Sequence, residues 1–171
     1  VSEPTIVRLS RKLGFRGFQE LKIRIAQDLV SPVQRIHEDV SPGDDAASVC
    51  QKVFASSIAA LQSTLGVLDP ASLERAARLI HESTEVVFFG VGGAACVAAD
   101  AAQRFVKLGL ITQAISDSHA QAVKACLMRP GSVAVGISHS GSTRATVEAL
   151  ELARRAGAST LCITSYGRSP I

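Results

Sequence analysis

The chain is predicted to fold as an α/β protein, a parallel sheet with flanking helices, preceded by a short all-α segment. Three observations carry this expectation. From Glu85 onward, short apolar, β-prone runs alternate with helical stretches, the pattern of a parallel sheet covered on both faces. Residues 1–30 read instead as two amphipathic helices. Of the 171 residues, 47% are hydrophobic and 19% charged, enough for one ordinary core and a small appendage.

Taken in order, Ser2-Glu3-Pro4-Thr5 reads as a helix cap and first turn, and the helix is expected to run to about Leu13 and stop at Gly14. Its packing stripe is Ile6, Leu9 and Leu13, with Thr5, Arg8, Arg11 and Lys12 on the opposite arc. A second helix is expected over residues 17–29, with Phe18, Leu21, Ile25 and Leu29 buried. Residues 31–44, with Pro32, Pro42, Gly43 and several acids, form a linker. Two helices follow, about 45–66 and 70–82, separated by Asp69-Pro70. Strands are then expected near 85–90, 110–116, 132–138 and 159–164, with helices near 94–108, 118–128 and 143–156.

Composition excludes several classes. No apolar run reaches the roughly eighteen residues of a membrane-spanning helix, and the N-terminal stretch lacks the regions of a signal peptide, so a cytoplasmic protein is expected. Cys50, Cys96, Cys126 and Cys162 are scattered with no CxxC pair and read as reduced core thiols. His37, His81 and His119 show no ligand spacing, so neither a metal nor a cofactor is expected. The net charge of +3 is uneven: Arg8, Arg11, Lys12, Arg16, Lys22 and Arg24 face only Glu3, Glu20 and Asp28 in the first thirty residues, and the remainder is balanced. A polyanion partner for that end follows.

Two loops carry the chemistry. Ser138-His139-Ser140-Gly141-Ser142-Thr143 lies between the apolar run Val133–Ile137 and a helix. Backbone N–H groups at a helix start have no intrahelical partner, and the dipole favours an anion there. Three serines and a threonine exceed what a helix cap needs, so a phosphate cradle is predicted. The loop Gly90-Val91-Gly92-Gly93-Ala94-Ala95 fits a loose GxGxxG/A pattern after the strand Val86–Phe89. A dinucleotide site, a tight turn and a contact with a small phosphorylated ligand are all open readings, and the last is preferred because no acidic residue stands where a ribose contact needs one. His139 is either a general base or a supporting hydrogen bonder. The basic arc of the first helix is either a solvated face or a DNA-reading surface. Glu148 and Glu151 are expected to face solvent.

Taken together, these residues resemble the RpiR family of bacterial transcription regulators, in which a helix-turn-helix domain precedes a phosphosugar-sensing sugar isomerase (SIS) domain. Val1–Arg8, Arg11–Phe15 and Gly17–Lys22 resemble the recognition helix and the helix after it, and Ile137–Thr143 resembles the SIS phosphate loop. The resemblance implies a partial helix-turn-helix domain over 1–30 and an incomplete, doubly wound SIS domain over 45–171, with further helices before Val1 and at least one more strand and helix after Ile171. It implies DNA contacts from Ser2, Thr5, Arg8, Arg11 and Lys12. It implies phosphosugar contacts from Gly92, Gly93, Ala94, Ser138, Ser140, Gly141, Ser142 and Thr143. Where the family's first loop offers a serine, this chain has Ala94, which removes one donor. Ile36–Asp39 and Ser116–Gln121 look most like family members that repress hexose catabolism genes and respond to 2-keto-3-deoxy-6-phosphogluconate.

The function expected is therefore a phosphosugar-responsive regulator of carbohydrate metabolism, not an enzyme, acting on double-stranded operator DNA as a homodimer or homotetramer without a membrane partner. The alternative is a phosphosugar isomerase of the same fold. That chemistry needs a positioned base, for which His139 and His119 are the loop-borne candidates.

Overall fold

The computed structural model describes residues 3–15, 17–18, 21, 40–165 and 169–171. The chain divides into two compact units, 1–66 and 67–171. Ser2, Arg16, Lys22, Arg24, Ile25 and Leu29, most of the second expected helix, and linker residues 31–39 lie outside the described residues.

In the first unit, helix α1 spans Glu3–Lys12 and ends as expected, with the Leu13 and Phe15 N–H groups returning to the carbonyls of Leu9 and Ser10. Its buried side differs from the expected stripe. Ser10 is fully buried and its hydroxyl donates to the Ile6 carbonyl, whereas Leu9 and Leu13 are more than half exposed. Ser10 lies one turn beyond Ile6, and folding its short side chain onto the helix lets a neighbour approach where a leucine would stand off. Phe18, expected inside, is exposed, while Leu21 is buried as expected. Helix α2 spans Ala46–Val67, and the boundary between units falls at its end. It is introduced by a turn in which the Asp44 carboxylate accepts from the Ser41 N–H and from Lys52.

The second unit opens with helix α3 (Pro70–His81) and continues as β1 (Glu85–Phe89), α4 (Gly93–Val106), β2 (Thr112–Ile115), α5 (Ser118–Leu127), β3 (Ser132–Ile137), α6 (Arg144–Arg155) and β4 (Ser159–Ile163). Each falls close to its expected span. All strand pairs are parallel and the order is β2-β1-β3-β4. Residues alternate sides along a strand, and both sides here are covered. Val86, Phe88, Val133, Val135 and Ile137 meet Ala98 and Ala102 of α4 on one face. Val87, Phe89 and Ala134 meet Ala125 of α5 and Ala149, Leu150 and Ala153 of α6 on the other. Double coverage explains why β1 and β3 read as unbroken apolar runs, and each fully buried Val or Phe contributes about 1.5–3 kcal/mol. On α6 the buried residues are Thr146, Ala149, Leu150 and Ala153.

The four cysteines are free, as expected, but they are exposed rather than in the core. Cys96 and Cys126 occupy helix positions turned from the sheet, which takes alanines at its contacts, and Cys162 lies on a strand at the end of the described sheet.

Candidate functional site

The strand order fixes where a ligand can enter. The chain leaves β1 toward β2 and leaves β3 toward β4, while β1 and β3 lie side by side with Phe89 opposite Gly136. Their following loops diverge, and such a switch point at the carboxyl ends of parallel strands is the general ligand crevice of open α/β sheets. The loops placed there are Gly90–Gly92 and Ser138–Thr143, the two that the sequence singles out.

The serine loop is held by its own hydroxyls. Ser138 is buried and its hydroxyl pairs with that of Thr143 at 2.8 Å. The Ser142 hydroxyl donates to the Ser140 hydroxyl at 2.9 Å, and both side chains are exposed. Gly141 is buried with φ of 62°, and a Cβ there would lie 2.3 Å from the Ser169 hydroxyl, so both conformation and space require glycine. Thr143 is the N-cap of α6 in extended conformation, yet no side chain caps the helix. The Arg144 guanidinium is held by Glu148 at 2.6 Å, which raises its pKa above the ordinary arginine value. That cation is paired one turn along its own helix. Glu148 and Glu151 face solvent as expected.

A third segment, following β4, braces the serine loop, and sequence reading missed it. The Ser165 hydroxyl and N–H and the Thr164 hydroxyl all donate to the His139 carbonyl, and the Ile171 N–H donates to the Gly141 carbonyl. His139 thus anchors the loop through its backbone, and its side chain is exposed. The only signal in the sequence is a cluster of hydroxyls just past a strand, whose meaning depends on β4 lying beside β3.

The glycine turn is built differently. A Cβ on Gly90 would come within 2.6 Å of the Ala94 carbonyl oxygen, so the tight-turn reading of this glycine holds in its own right. Gly92 is the N-cap of α4, which also has no side-chain cap. Gly92 and Gly93 are exposed, and Ala94 is half-buried with its methyl packed on the sheet face lined by Phe88. Gln121, from α5, is fully buried; its amide nitrogen donates to the carbonyls of Gly90 at 3.2 Å and Ile115 at 2.9 Å. Gln121 Oε1 and Thr146 Oγ1 are buried without partners, and an unmet buried polar atom disfavours the fold by about 1–3 kcal/mol.

Helices α3 and α5 of the same unit begin in the opposite way. The Asp69 carboxylate caps α3 by accepting from the Ala71 and Ser72 N–H groups, and Asp117 caps α5 by accepting from Ala120. Of the expected DNA-contacting residues, Thr5, Arg8 and Lys12 are exposed on α1, and Arg11 belongs to the same helix. They lie in the first unit and the crevice in the second. Among the described residues no three His, Cys, Asp or Glu side chains are grouped to hold a metal ion, and no helix is long and apolar enough to cross a membrane.

Fold and site together define a doubly wound α/β domain in which two helices start without side-chain caps at the switch point of the sheet. Residues 79–171 match the SIS domain and residues 1–32 match the helix-turn-helix domain of the rpiR family; the chain belongs to the SIS family in its RpiR-type arrangement. It is 39% identical over 171 residues to the HTH-type transcriptional regulator HexR of Pseudomonas aeruginosa, covering all of this chain and 60% of that protein. It is 38% identical over 170 residues to an HTH-type transcriptional regulator of Caldanaerobacter subterraneus, covering 99% of this chain and 60% of the relative. The solved structure of the Vibrio vulnificus NanR protein complexed with ManNAc-6P superposes with a TM-score of 0.73 at 28% identity, over 99% of this chain and 59% of that one. The chain thus spans about 60% of the length of the curated relatives it matches.

Proposed function

We propose that the chain is the sensing region, with part of the DNA-contacting domain, of a transcriptional regulator of carbohydrate metabolism whose effector is a phosphorylated sugar or sugar acid. The observation that carries this reading is the pair of helices, α4 and α6, that start uncapped from adjacent strands at the switch point. Free N–H groups and two positive dipole ends converging on one crevice suit a phosphate dianion. Ser140, Ser142 and Gly141 with the Gly92–Ala94 segment take the phosphate. Ser138 and Thr143 hold the loop's shape through their shared hydroxyl bond. With Ala94 in place of a hydroxyl donor, the serine loop carries the larger share of recognition.

The first-choice effector is 2-keto-3-deoxy-6-phosphogluconate, which the resemblance of Ile36–Asp39 and Ser116–Gln121 implies; the NanR structure, complexed with ManNAc-6P, supports the broader phosphosugar class. On the DNA side, Arg8 and Arg11 contact the operator with Ser2, Thr5 and Lys12 in support. The protein acts in the cytoplasm as a homodimer or homotetramer, and the effector biases the placement of paired DNA-binding domains against half-site spacing. Relatives at 38 and 39% identity are named as regulators, which favours this reading over an isomerase. The test is to titrate the protein's operator complex with phosphosugars. A change in DNA affinity with at least one of them is expected, and constant affinity with all of them sinks the sensing reading.

A further inference from the structure

We propose that Gln121 is a positioning residue for the phosphosugar site: it holds the Gly90–Ala94 turn in the shape from which α4 opens. This role rests on the reading of that turn as half of the effector cradle.

The turn lacks any polar side chain of its own, being Gly-Val-Gly-Gly-Ala. The serine loop locks itself through paired hydroxyls and through Thr164 and Ser165, but nothing equivalent exists here. Among the described residues, Gln121 is the one side chain hydrogen-bonded to the turn. It bonds at the point where the ladder runs out. The Gly90 N–H donates to the Ile115 carbonyl at 3.4 Å, and beyond that contact the strands β1 and β2 part. The Gly90 carbonyl then needs a donor, and one hydrogen of the Gln121 amide nitrogen supplies it while the other gives the Ile115 carbonyl, reached by Gly90 only at the long 3.4 Å, a second and shorter bond. Carbonyls only accept, so the nitrogen must face them and Oε1 is left over. That oxygen is fully buried with no partner. A glutamine retained in an apolar setting with its acceptor unmet is there for its donors. Gln121 therefore ties the ends of β1 and β2 to α5 at the root of the turn.

The test compares Gln121→Met, close in shape but without the amide, with Ala125→Gly, which weakens the same helix away from the turn. Both are made in the full 171-residue chain, with 2-keto-3-deoxy-6-phosphogluconate and glucose 6-phosphate as probes. In Q121M without ligand, the backbone amide resonances of Gly90–Ala94 are expected to move while those of Ser140–Thr143 stay. Phosphosugar affinity is expected to fall about tenfold, as loss of hydrogen-bonded positioning predicts. A125G, matched for loss of thermal stability, is expected to bind like the wild type. Wild-type affinity in Q121M, or an equal loss in A125G, overturns the role. Should Q121M not fold, the wild-type titration decides: the Gln121 side-chain amide resonances shift when the probe binds, and a bound chain in which they stay fixed contradicts the proposal. A wild-type chain that binds neither probe removes the sensing reading and this role with it, whereas binding without Gln121 dependence removes this role alone.

Discussion

The helices α4 and α6 begin bare, while α3 and α5 begin under an aspartate. A good N-cap contributes about 0.5–2 kcal/mol, so two helices of the same domain forgo a stabilisation that the other two take. The bare pair follows the neighbouring strands β1 and β3, and the capped α5 follows the outer strand β2. A carboxylate at a helix start occupies the N–H groups and repels a second anion, so Asp117 closes its helix to phosphate. Glycine at 92, and a threonine at 143 whose hydroxyl pairs with Ser138 instead of capping, leave theirs open. The contrast supports the proposal that the missing caps mark the site, with a ligand phosphate as the cap that the chain does not supply.

Closing one of the open helices tests the contrast most severely. Thr143 already has the extended backbone of an N-cap, and an aspartate there can accept from the buried Ser138 hydroxyl as well as from the helix N–H groups, so Thr143→Asp is expected to stabilise the domain by about 0.5–1 kcal/mol while weakening phosphosugar binding roughly 100-fold. Thermal melts and calorimetric titration of one preparation would show the two effects with opposite sign. Reshaping the other open turn comes next. In Gly90→Ala the new methyl meets backbone that cannot swing aside, so a loss of about 1–3 kcal/mol in stability is expected together with weaker binding, read by denaturant unfolding and titration.

Removing a cap from the closed set should be quieter. Asp117→Ala is expected to cost about 0.5–2 kcal/mol of stability in a denaturant melt and to leave phosphosugar affinity no weaker. A loss of affinity there would erase the distinction between the two kinds of helix start. The smallest effect concerns acid. The Asp69 carboxyl is held below the ordinary range, first by the Ser72 hydroxyl and then by the Ser72 N–H. A depressed folded value means that the cap's contribution is complete above the unfolded value near 3.8 and fades as pH falls through the lower folded one. Asp69→Asn is therefore expected to flatten that acid limb slightly, as followed by helical circular dichroism.

Much of this was legible in the sequence because it depends on neighbours along the chain. Unbroken apolar runs at 86–89 and 133–137 mark strands buried on both faces, and the hydroxyl-rich loop after the second marks a helix start. What stayed hidden depends on residues far apart. Gln121 lies 31 positions from Gly90, and Ser165 lies 26 from His139, so neither bond has a local signature. Leu9, Leu13 and Phe18 fit a buried stripe by period, yet they are exposed, because period reports which residues share a face and not what covers it. The cysteines misled in the same way: apolar character suggested burial, but the sheet's helix contacts are filled by alanines.

The most direct measurement is an amide-resolved NMR titration of the 171-residue chain with a phosphosugar. A phosphate site between the two open helix starts requires shifts concentrated at the starts of α4 and α6, over residues 92–95 and 140–146, with the aspartate-capped starts at 69–72 and 117–120 unmoved. Shifts centred on the capped starts, or binding that leaves both open starts untouched, would contradict it.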